Sequence, residues 1–119
     1  MKIISAMTAT LMLATPALAQ HQGMNHDQMM MQPTAANPYG PDMMKMHERM
    51  MAAMGADAGE TWIRKMIEHH RGAIDMSQTA LRNTRNAEIR REAQKTIASQ
   101  QREIATLNAM LRKMGKRPQ

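Results

Sequence analysis

From Ile89 to Met114 one line of residues advances by four, four, three, four, three, four and three: Ile89, Ala93, Ile97, Gln100, Ile104, Leu107, Leu111 and Met114. A strand alternates every second residue, so only a helix can keep this line on one side. The mean step of about 3.5 is a heptad seam. It predicts a long helix over Ala87–Met114, with Asn86 as its cap and Gly115 beyond its end. A second amphipathic pattern precedes it, from Glu60 to about Thr84, after Asp57 or an Ala58-Gly59 turn. Its apolar stripe is Ile63, Met66, Ile67, His70, Ala73, Ile74, Ser77 and Leu81, bordered by Trp62, His69, Met76 and Ala80. Arg64, Glu68, Arg71, Asp75 and Arg82 are expected to face water. The short Asn83-Thr84-Arg85-Asn86 link makes the two helices an antiparallel hairpin. A shorter helix is expected over Pro41–Met54, with Pro41 in its first turn, Asp42 at its positive end and Gly55 as its stop. No strand pattern occurs. The fold class is therefore all-α, a small antiparallel helical bundle with a three-helix core. A fourth helix would come from the N-terminal arm on metal binding or from a second copy of the chain.

Residues 1–19 read as a signal peptide: Lys2, an apolar stretch too short to span a bilayer, and an Ala17-Leu18-Ala19 cleavage site. The protein is expected to be periplasmic and soluble, with a mature chain starting at Gln20. Residues 20–40 read as a flexible arm, interrupted by Gly23, Pro33, Pro38 and Gly40, with little apolar surface to offset its ordering entropy. The helical domain is expected over 41–115 and a short tail over 116–119. Loss of Lys2 lowers the formal charge from +6 to +5. Export and the alternating signs of the helical charges argue against nucleic acid as a partner. Tyr39 and Trp62, the only aromatics of Phe, Tyr and Trp type, offer no base-stacking platform. No later stretch suggests membrane insertion.

Most of the 17 methionines and all five histidines lie between His21 and Met76, and there is no cysteine. Thioether is a soft donor and imidazole a borderline one, a pairing that suits copper, above all Cu(I). Thioethers also survive where thiols would be oxidised. Three groups are candidate metal ligands. Met66, His69, His70 and Met76 lie on the second helix at helical spacing. Met43, His47, Met50 and Met54, flanked by Met46 and Met51, are expected on one face of the first helix. His21, Met24 and His26 lie in the arm. Ordinary core packing is the competing explanation for the helical methionines. Leu and Ile specify a core better, however, and the other helices use them freely. Glu48, Glu68 and Asp75 do not make a catalytic set, and the paired Glu-x-x-His motifs of a di-iron bundle are absent. There is no nucleophile–base arrangement and no phosphate-cradling loop; the chain does not read as an enzyme. Gln100 interrupts the seam and is a candidate partner for a histidine of the second helix, with Glu103 able to do the same at the edge.

Trp62-Ile63-Arg64-Lys65-Met66-Ile67-Glu68-His69-His70-Arg71-Gly72-Ala73-Ile74-Asp75-Met76, with Ile97-Ala98-Ser99-Gln100-Gln101-Arg102-Glu103-Ile104 downstream, resembles a bacterial family of exported ferritin-like helical bundles. That family, long catalogued as a domain of unknown function, includes CopM-type periplasmic copper-binding proteins. The resemblance covers about residues 41–115. It implies a ferritin-like four-helix bundle that binds copper through Met and His, and carries that role onto Met66, His69, His70 and Met76. Gln100 and Glu103 carry over as motif residues without a role. Glu68 stands where the family often has Pro. Leu107 and Met110 stand where it tends to have Met and Trp, which removes or moves any ligand at 107.

The expected function is sequestration or shuttling of Cu(I), with Cu(II) as a second valence, in support of copper tolerance. The expected partners are copper ions and another periplasmic copper carrier or exporter, and the expected state is a monomer or homodimer. Arm thioethers would capture the ion and the helical His/Met face would hold it. The alternative is a metal-independent periplasmic helical chaperone or adaptor, whose Met-rich face binds clients promiscuously.

Overall fold

A computed structural model describes residues 32–119, and three helices make up its regular structure: α1 (Gly40–Ala52), α2 (Ala58–Asn83) and α3 (Ala87–Lys113). No strand occurs among the described residues. The all-α expectation is therefore met. The first 31 residues, with His21, Met24 and His26, lie outside the described part.

The caps explain the element boundaries. Asp57 accepts from the Glu60 amide at 2.9 Å and starts α2. Asn86 accepts from the Glu88 and Ile89 amides at 2.9 and 3.2 Å and starts α3. Gly115 adopts φ +70°, and the Lys116 amide closes onto the Leu111 carbonyl at 2.8 Å. α1 ends at Ala52, earlier than the Met54 expected from the pattern, because Ala53 is already extended (φ −75°, ψ 99°). Beyond it, the Gly55 amide donates to Thr61 Oγ1 and the Ala56 amide to Glu60 Oε2. These side chains of α2 take the amides that a longer α1 would have used. A Cβ on Gly55 would sit 2.5 Å from Glu60 Cγ, so glycine is required there by space.

The hairpin core is Ile63 and Ile67 of α2 against Leu107 and Leu111 of α3, with Met66 and Ile104 packed beside it. Ile67 and Leu111 are fully buried, and each such side chain contributes about 1.5–3 kcal/mol. The seam of α3 is real in its middle, but Ile89 and Met114 at its ends are exposed.

α1 and α3 both pack on α2 and do not pack on each other. The three helices thus form a layer with α2 in the centre rather than a closed core. Asp42 meets Thr79, Arg49 meets Asp75, and Lys65 reaches the Met50 carbonyl, so α1 runs antiparallel to α2. Met46 sits on Gly72, where an added Cβ would overlap its side chain from Cβ to Sδ.

Two expectations about faces are corrected. The side of α1 that packs carries Met46, Arg49, Met50 and Ala53, whereas Met43, His47, Met51 and Met54 are exposed. The polar side of α2 is not a solvent face either. Glu68 is buried and Arg64 and Asp75 are half-buried, because α1 and the C-terminal residues cover them. Lys45 and Arg49 pair with Asp75 at 3.3 and 3.2 Å. Gln119 donates to Glu68 Oε1 at 2.6 Å and to the Arg64 carbonyl at 3.0 Å, while its own carbonyl accepts from Arg71 at 2.9 Å.

Two consequences can be measured. Glycine inside a helix normally costs about 0.5–1 kcal/mol relative to alanine. At Gly72 the steric conflict with Met46 outweighs that gain, so Gly72→Ala should lower stability by about 1–3 kcal/mol in chemical denaturation; a rise in stability would exclude the close α1–α2 contact.

The second concerns acid. The Ala56 amide, then the Arg64 guanidinium and the Lys116 ammonium lower the Glu60 pKa from 4.5 to about 2. The carboxylate's contribution is thus complete above about pH 4.5 and disappears as the pH falls towards 2. Melting curves across that range should show a steeper loss for wild type than for Glu60→Gln.

Candidate functional site

Because Ile63 and Ile67 point to α3 and Glu68, Gly72 and Asp75 are covered by α1 and the C-terminal residues, one strip of α2 is left between its neighbours. At about 100° per residue that strip carries Trp62, Met66, His69, Ala73 and Met76. Two clefts open along it.

The first has a volume of about 280 Å³ and is lined by Trp62, Met66, His70, Glu103, Thr106 and Leu107. His70 is the best-defined polar group in it. The residue is buried, and its Nε2 lies 2.7 Å from Glu103 Oε2. A carboxylate only accepts, so the proton of this bond is on Nε2. Nδ1 is buried and has no hydrogen-bond partner. An imidazole held at one nitrogen by a carboxylate, with a lone pair at the other, is the arrangement that orients histidine ligands in metal sites.

The second cleft, of about 310 Å³, is lined by Met46 of α1, His69, Ala73, Met76 and Ser77 of α2, and Thr96 of α3. His69 is exposed, and the Ser77 hydroxyl turns back to the Ala73 carbonyl at 2.7 Å, so the imidazole, the two thioethers and Thr96 carry the remaining side-chain heteroatoms of the wall. The His69 and His70 rings stand at 61° with centroids 5.9 Å apart, so adjacent residues link the two clefts.

The α2 candidates are therefore divided: Met66 with His70, and Met76 with His69. From α1 the structure brings in Met46, which the sequence placed only at a flank. Met43, His47, Met50 and Met54 line neither of these two clefts. Met51 is further round and 65% exposed. The informative signal for Met46 was Gly72, a small residue in mid-helix that admits a long side chain. Glu103, rather than Gln100, is the α3 residue that reaches a histidine. Among the described residues no three His, Asp or Glu side chains come together in a group able to hold a metal ion.

A larger, charged cleft of about 570 Å³ lies where the end of α1 meets the C-terminal residues, with Arg49, Arg64, Lys116, Glu60 and Glu68 in its wall. Glu68 Oε2 is buried there without a partner. Its donor set is hard and mostly self-paired. Among the described residues no helix is long and apolar enough to cross a membrane.

The hydrogen bond to Glu103 fixes a tautomer. Ring nitrogen chemical shifts of the metal-free protein at neutral pH should show His70 with its proton on Nε2. Glu103→Ala should remove that preference and cost about 1 kcal/mol of stability; an Nδ1–H ring in wild type would exclude the geometry.

The chain belongs to the DUF305 family, a domain of unknown function whose family model matches residues 3–111. No curated protein and no solved structure matches the chain.

Proposed function

We propose that the protein is an exported, periplasmic copper-binding protein that sequesters or shuttles Cu(I) through methionine and histidine, and so supports copper tolerance. One observation supports the reading: His70 is held at Nε2 by Glu103 and its Nδ1 is buried without a partner, while His70 and Met66 line the same cleft. A buried polar atom without a partner is costly in a folded protein. A soft cation bridging Nδ1 and the Met66 thioether would satisfy it, and the donor types match Cu(I). The His69–Met76–Met46 cleft offers a second, more accessible set of the same chemistry.

Each site differs in what it supplies. At His70 the ring is preset and little ordering is needed on binding. At His69 the ring is exposed and both thioethers are long, flexible side chains, so ordering costs more. The cleft with the preset His70 ring should hold the ion more tightly, and the His69 cleft should exchange it. In the absence of cysteine, transfer proceeds by replacement of one thioether or imidazole by another, without thiol redox chemistry. The exposed methionines Met43, Met51 and Met54 provide further soft donors at the rim of the layer.

An anaerobic Cu(I) titration, competed against a chromogenic chelator, tests the reading. Wild type should bind tightly. Glu103→Ala should weaken binding by about 10–100-fold through loss of ring orientation. His70→Ala should remove the tight phase, while His69→Ala should remove a weaker one. Tight binding unchanged in His69→Ala/His70→Ala would move the function to α1 and the arm. Absence of binding would favour the chaperone alternative, for which the exposed Met43, Met44, Trp62 and Met110 side chains would be the client surface.

A further inference from the structure

We infer that Trp62 is part of the Met66–His70 site and that its indole face covers a soft cation held there. The inference rests on the copper reading above and names a component it does not require.

Trp62, Met66 and His70 follow one another at intervals of four on α2 and line the same cleft. Helical side chains lean towards the N-terminus, so His70 overlies the turn of Met66 and Met66 overlies the turn of Trp62. The three groups therefore succeed one another along the cleft, with the indole at its exposed end. Trp62 is 55% exposed although its neighbour Ile63 is 3% exposed. The largest side chain in the protein is thus not used to build the core that begins one residue later.

The other walls leave a coordination gap that Trp62 fills. Met66 and His70 supply two heteroatoms. On the α3 side, Leu107 has none, Glu103 is engaged with His70 Nε2, and the Thr106 hydroxyl donates to the Arg102 carbonyl at 3.1 Å. A monovalent d¹⁰ ion bound by one thioether and one imidazole is left with an open side towards the indole. The indole π-face is the strongest of the aromatic cation acceptors, and more so where water is excluded. It would also shield the ion from oxidants without adding a ligand that must be broken for release.

Trp62 is the only tryptophan, so its emission reports on this cleft alone. The full chain, metal-free, is titrated anaerobically with Cu(I) and in parallel with Ag(I) as a redox-inert probe. Affinity is read by chelator competition and proximity by Trp62 emission. The emission should be quenched as the tight site fills. Quenching should persist in His69→Ala and vanish in His70→Ala. Trp62→Leu, which keeps apolar bulk, should weaken the tight phase by about three- to thirtyfold, with Trp62→Phe in between. Full occupancy with unchanged emission, or Trp62→Leu binding as tightly as wild type, would overturn the inference and leave the copper reading standing. No binding of either ion would overturn both.

Discussion

Ile67 of α2 and Leu111 of α3 are the two fully buried side chains of the fold, and their contact sets the roll of α2 about its own axis. With Ile63 and Ile67 turned to α3, Gly72 and Asp75 are turned away from it, and that is where α1 docks. Trp62, Met66, His69 and Met76 then fall between the two neighbours by subtraction. Rotating α2 by a single residue, about 100°, would bury the thioethers and open the aliphatic core. The position of the candidate ligands is thus a by-product of aliphatic packing, which is how a small protein can keep soft donors accessible without placing them on a loop.

The second constraint is that the layer is covered on one side only. Gln119 bonds Arg64, Glu68 and Arg71, and Lys116 reaches Glu60 at 3.3 Å. These contacts use the chain's charged groups on the rear of α2. The front receives almost none, apart from Glu103. Most of the electrostatic contacts and the soft donors therefore occupy opposite sides of one helix, and the one carboxylate at the front, Glu103, is engaged by His70 Nε2. The difference matters because hard carboxylate oxygens would favour other metals.

The three helices, their caps and the hairpin were legible because each depends on local chemistry: Asp57, Asn86 and Gly115 act within a few residues of where they stand. The stripe of α2 towards α3 was legible for the same reason, since aliphatic residues have one destination. The polar face was not. Arg64, Glu68 and Asp75 look alike whether they face water or face Gln119 and Arg49, and a charge that meets its partner on another element leaves no mark in the pattern. The rotation of α1 was missed because methionine occupies six of the positions from Met43 to Met54 on nearly every side. Methionines spread so evenly round a helix do not announce which flank is inside. Only Gly72, across the interface, distinguishes Met46 from the rest. Within the candidate site, helical spacing grouped Met66, His69, His70 and Met76, but their division between two clefts depends on which neighbour stands at either side.

The pairing of His70 with Glu103 shows how the two levels join. Glu103 is half exposed and belongs to α3, so its bond to a buried ring of α2 spans the hairpin interface. It holds only when Ile67 and Leu111 are in register, because a shift of one residue along α3 would turn the carboxylate away. The tautomer that leaves Nδ1 free is therefore coupled to correct packing of the core. A partly unfolded hairpin loses the preset imidazole before it loses its thioethers, which are flexible and need no orientation. On the proposed reading, soft-ion capture by methionine would thus survive local opening. Retention at the His70 cleft would not, since its geometry exists only while the aliphatic contact between α2 and α3 is made.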